Sequence, residues 1–154
     1  MSLNSLYILL HVMSVVVWVG GMFFAHQCLR PVAASQLEPP VRLKLWIGVF
    51  GRFFPSVWVA VILLPLTGWL MIFGLFGGQA PLYVHLMNGI GTIMILIFLH
   101  VFFAPYRRLK QHVANGDWKA GGAALASIRK LVGFNTILGF LVIAIASGGR
   151  FFAA

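Results

Sequence analysis

Carboxylates are almost missing from this sequence. Among 154 residues there are only two, Glu38 and Asp117, against eleven lysines and arginines. Both lie between apolar stretches, so no span carries a carboxylate relay, which argues against a proton-coupled transporter and against carboxylate-based hydrolysis. Cysteine is as scarce. Cys28 stands alone, which excludes an internal disulfide and any cysteine-only zinc or iron–sulfur cage. No nucleophile–base arrangement and no phosphate loop is visible. Polar surface is lacking too: charged residues make up 8%, hydrophobic residues 61%, and mean hydropathy is +0.99. A water-soluble domain of this size could not carry that balance on its surface, so the solvent for most of the chain is lipid. The net charge of +9 therefore has no soluble face on which to meet nucleic acid.

Four stretches are long and apolar enough to cross a hydrocarbon core of about 20 helical residues. They predict one all-α domain, an integral membrane up-down four-helix bundle with helices at about 6–28, 42–74, 83–108 and 118–148. The first stretch has no preceding basic residue and exceeds the usual length of a signal-peptide core, so it reads as a retained helix. Arg30, Arg42, Lys44 and Arg52 lie between the first two apolar stretches, and Arg107, Arg108, Lys110, Lys119, Arg129 and Lys130 lie between the last two. Only Arg150 lies elsewhere. The positive-inside rule then sets both basic loops in the cytoplasm and both termini in the periplasm, in a bacterial-type inner membrane.

Pro31, Pro39 and Pro40 are expected to stop the first helix, and Pro55 and Pro65 to kink the second. Asn115 or Asp117 is a suitable N-cap for the fourth helix. The small residues from Ala120 to Ala126 would let that helix pack closely, on a neighbour in the chain or on a second copy in a homodimer.

The histidines form a pattern. His11 and His26 on the first helix are fifteen residues apart, as are His85 and His100 on the third. Fifteen steps of a regular α-helix separate two imidazoles by roughly 22 Å along the axis and about 60° around it. The first and third helices run in the same direction, so His11 is expected to meet His85 near one membrane surface and His26 to meet His100 near the other. Imidazoles from facing helices can ligate haem iron from both sides. The pattern thus predicts one or two haem b groups and transmembrane or quinone-linked electron transfer, the work of a membrane oxidoreductase. Trp18, Phe23, Phe24, Phe98, Phe102 and Phe103 would wall the rings, and Arg52 and Arg107, with Arg150 at the other surface, would pair with propionates.

Other readings use the same residues. A histidine at a helix end also suits the headgroup region, and His112 reads as a solvated loop residue. His11 with Met13, His26 with Cys28, and His85 with Met87 place imidazole beside soft sulfur, a donor set for Cu(I). Residues two apart on a helix point about 200° away from each other, so sulfur from another helix would have to complete such a site. Asn88, one turn beyond His85, would orient it or bond to another helix.

The run Leu10-His11-Val12-Met13-Ser14-Val15-Val16-Val17-Trp18-Val19-Gly20-Gly21-Met22-Phe23-Phe24 resembles the first helix of CopD-type membrane proteins. Arg52-Phe53-Phe54-Pro55 onward to Thr67-Gly68-Trp69-Leu70 is similar to the helix that follows in that family. Tyr83-Val84-His85, Leu99-His100 and Tyr106-Arg107-Arg108 resemble its small stand-alone members. The resemblance implies copper resistance or uptake, with His11, His85 and nearby methionines as a transfer site at the periplasmic side. His11 seven residues before Trp18, Gly21 and Phe23, and His85 opening the third helix also resemble the HemJ-type protoporphyrinogen oxidases, which implies b-type haem at His11 and His85. That family has a lysine two residues after the latter histidine, where this chain has Met87.

Overall fold

The computed structural model describes residues 2–152, without the side chains of Arg150 and Phe152. The propionate role expected of Arg150 lies outside the described residues. Helix α1 spans Leu3–Gln36 and α2 spans Pro39–Phe76. Helix α3 (Leu82–Phe103) leads into the short α4 (Pro105–Ala114), and α5 (Trp118–Phe152) closes the chain. The described residues hold four helical segments long and apolar enough to cross a membrane, α3 with α4 counting as one. The protein is a multi-pass, all-helical membrane protein.

Local chemistry sets the boundaries. The Ser2 side chain accepts from the Ser5 N–H at 3.2 Å and starts α1. Gly77 and Gly78 end α2 in left-handed conformations, at φ 57° and 87°, where a Cβ would be strained. Of the two expected caps of the fourth span, Asp117 serves: its Oδ1 accepts from the Ala120 N–H at 3.0 Å. Buried hydroxyls bond back to carbonyls four residues earlier, Ser14 to Leu10 at 2.7 Å and Thr136 to Val132 at 2.7 Å, which satisfies them where water is absent.

Two boundaries differ from those expected. Pro31 does not end the first helix. A π-helical turn over Phe24–Leu29 precedes it, and the Arg30 N–H reaches back to the Ala25 carbonyl; this wider turn takes up the clash that a helical proline makes with the preceding turn, and the helix runs on to Gln36. The third helix instead breaks at Ala104 (φ −112°, ψ −86°), because the following Pro105 disfavours α geometry there. Helix α4 is amphipathic. Tyr106 and Leu109 are buried, whereas Arg107, Arg108 and Lys110 are exposed. Helix α2, by contrast, continues through both Pro55 and Pro65.

Hairpin α1–α2 packs along its length, as does the hairpin of α3 and α4 with α5, and the two hairpins meet more loosely. Helices α1 and α3 lie diagonally, without a packed seam between them. The tightest packing is aromatic and sits toward the basic-loop end. Phe54 stacks on Phe50 at 5.1 Å and meets Tyr106, Phe98 and Phe102 at 4.9, 5.6 and 5.9 Å between ring centroids. Part of the small-residue start of α5 is used inside the chain: Gly121 and Ala124 are buried, and a Cβ on Gly121 would stand 3.1 Å from Leu43. Exposed apolar side chains such as Val16, Ile62, Phe73, Leu96 and Ile137 form the lipid-facing surface.

Candidate metal site

The loose junction between the hairpins leaves a cavity of about 440 Å³ at the end of the bundle that holds the α2–α3 turn. Helical periodicity brings one face of each spanning helix to it. Helix α1 contributes Ile8, His11, Val15 and Trp18, α2 contributes Pro65, Gly68 and Met71, α3 contributes Val84, Met87, Asn88 and Met94, and α5 contributes Gly139 and Val142. The walls are apolar apart from the imidazole, the Asn88 and Thr92 side chains and the Tyr83 phenol. His11 Nδ1 lies 2.8 Å from Thr67 Oγ1, and the Thr67 hydroxyl donates to the Leu63 carbonyl at 2.6 Å.

His11 is the one histidine that borders this cavity. His85 is exposed. The cavity face of α3 is centred on Val84, Met87, Asn88 and Gly91, and His85, one step beyond Val84, is turned about 100° from it. His100 is exposed on the same outward side of α3. His26 is partly buried against α5, its Nε2 2.8 Å from where a Cβ on Gly133 would stand. The structure thus does not bring together the two cross-helix pairs expected from the spacing, for two physical reasons. The parallel helices α1 and α3 are diagonal rather than adjacent, and the π turn around His26 departs from the regular 100° step on which the shared face was reckoned. Arg52 and Arg107 are exposed at the basic-loop end, the opposite end from His11. His112 Nδ1 lies 4.0 Å from Asp117 Oδ2 at the surface.

Sulfur is arranged differently from the sequence neighbours. Met13 is exposed, away from His11. Met71 of α2 and Met87 and Met94 of α3 line the cavity with His11 instead. Among the described residues no three His, Cys, Asp or Glu side chains gather at one point, so a metal held here would meet one imidazole and neutral thioethers. Met71, Met94 and Thr67 escaped the sequence reading as partners of His11. The antiparallel hairpin offers the missing signal: Asn4 lies beside Gly74, His11 beside Thr67, and Phe53 against Gly21, a ladder of matched levels along α1 and α2.

A second cavity of about 260 Å³ lies toward the basic-loop end, walled by Phe24, Phe50, Phe53, Phe54 and Phe98. Trp18, 3% exposed, lines both cavities. Of the rings expected to wall a cofactor, Phe23 and Phe103 instead face outward. Asn135 lies beside this second cavity, its Nδ2 donating to the Met94 carbonyl at 3.3 Å and its buried Oδ1 without a partner among the described residues. Asn135→Leu should shift stability by less than about 1 kcal/mol, because an interhelical bond in a membrane averages about 0.6 kcal/mol and the unpaired oxygen goes with it. Denaturation in mixed detergent would check this, and a loss above about 2 kcal/mol would contradict it.

No curated protein and no solved structure matches the chain. A family model described as copper resistance protein D matches residues 47–148, a range that holds Thr67, Met71, Met87 and Met94 and begins after His11 and His26. The match takes in well over half of the sequence, and the chain belongs to the copper resistance protein D family.

Proposed function

We propose that the protein handles copper within the membrane, taking Cu(I) into the cavity between its hairpins through His11 and the thioethers of Met71, Met87 and Met94. The observation that carries this reading is the presence of one imidazole and three methionines on the walls of one cavity. Thioether and imidazole form a soft, uncharged donor set, which favours Cu(I) over Cu(II), zinc or harder cations. A monovalent ion also costs less to bring into an apolar interior than a divalent one. With no thiolate or carboxylate to hold it, the ion binds weakly enough to be passed on. The basic loops orient the bundle with both termini outside an inner membrane, so the cavity opens in the outer half.

Competition titration of the purified protein in nanodiscs with Cu(I) tests the proposal, and one saturable equivalent per chain is expected. The absence of saturable uptake would overturn it. Haem-based, quinone-linked electron transfer has weaker support, since a bis-histidine haem needs His85 at the cavity and His85 is exposed on α3. The expected sample is colourless, and a Soret band with stoichiometric haem would reverse the order of the two readings.

A further inference from the structure

We infer that Thr67 is a positioning residue that fixes His11 in the tautomer protonated at Nδ1, leaving Nε2 as a bare lone pair for a metal. The argument is one of proton accounting. The Thr67 hydroxyl has a single proton, and its oxygen sits 2.6 Å from the Leu63 carbonyl and 3.3 Å from the Leu64 carbonyl, both of which only accept. Its proton is therefore committed to the backbone. What Oγ1 offers His11 at 2.8 Å is a lone pair, so Nδ1 must carry the hydrogen. Thr67 is 2% exposed, so water does not compete for the bond. Neutral imidazole carries one ring proton, and with that proton on Nδ1 the other nitrogen is free to bind.

Metal-ligating histidines commonly donate their second ring N–H to such an acceptor, which sets the tautomer and raises the basicity of the ligating nitrogen. Here the acceptor is held by the backbone of the neighbouring helix, so α2 dictates which nitrogen α1 presents. The consequence for metal rests on the copper reading above. The tautomer does not.

The test uses the full chain in nanodiscs with ¹⁵N-labelled histidine, the His11→Gln variant identifying the His11 signals. Neutral His11 is expected to carry its proton on Nδ1 in the native chain and in Thr67→Ser. Thr67→Val should move it to Nε2, the form free histidine favours. Ag(I), a redox-inert stand-in for Cu(I), should bind Thr67→Val about 10- to 100-fold more weakly, and Thr67→Ser about as well as the native chain. Native His11 protonated at Nε2, or a tautomer unchanged in Thr67→Val, overturns the inference. A tautomer that shifts as described in a chain that takes no Ag(I) supports Thr67 as the positioning residue and removes the copper reading instead.

Discussion

His11→Ala is expected to weaken Cu(I) binding more than a hundredfold, beyond the roughly 10- to 100-fold that loss of an outer partner costs a metal site. The substitution removes the one imidazole at the cavity and leaves thioethers alone. The comparison that gives this result meaning is His85→Ala with His100→Ala. Both residues are exposed on the outward side of α3, and their loss is expected to leave affinity within about twofold, where thioether ligation is untouched. Competition titration against a chromogenic Cu(I) chelator reads all three. Should His85→Ala weaken binding as much as His11→Ala, both residues would belong to one site and the cavity as described would not be it. Affinity should also fall as pH is lowered, because a proton and the metal compete for the same imidazole nitrogen.

The largest expected effect on stability comes from Phe54→Ala. Phe54 is 4% exposed and lies at the centre of the aromatic cluster that joins α2 to α3 and α4. In soluble cores such a truncation costs about 3–5 kcal/mol through lost transfer energy and a residual void. Helices in lipid gain little from water exclusion when they associate, so the packing part remains and the cost falls to about 2–3 kcal/mol. The void also opens onto the second cavity, which Phe54 already lines, so neighbouring rings have little to collapse against. Folded fraction against denaturing detergent is the measurement, and a loss below about 1 kcal/mol would show that the cluster repacks freely.

The spans were legible because a bilayer imposes one strong rule, a long apolar helix, and hydropathy reports it without reference to neighbours. The cap at Asp117 was legible for the same reason, being local. What depended on the third dimension was not. The fifteen-residue histidine spacing holds in the chain, but its meaning turned on whether α1 and α3 touch, and periodicity cannot tell a diagonal pair from an adjacent one. The π turn before Pro31 was hidden because proline signals the end of a helix far more often than a locally widened one. Thr67 was visible as a polar residue in a span, yet its partner is 56 positions away. Only the level at which two antiparallel helices pair connects it to His11.

Trp18 has a consequence for anything that travels through the bundle. As a wall common to both cavities, it stands as a leaf between two chambers. The leaf is an indole, held edge to face on Phe98 at 6.2 Å between ring centroids, and the face of an indole attracts a cation. An ion held in the methionine-lined chamber would have this aromatic side chain between it and the second cavity.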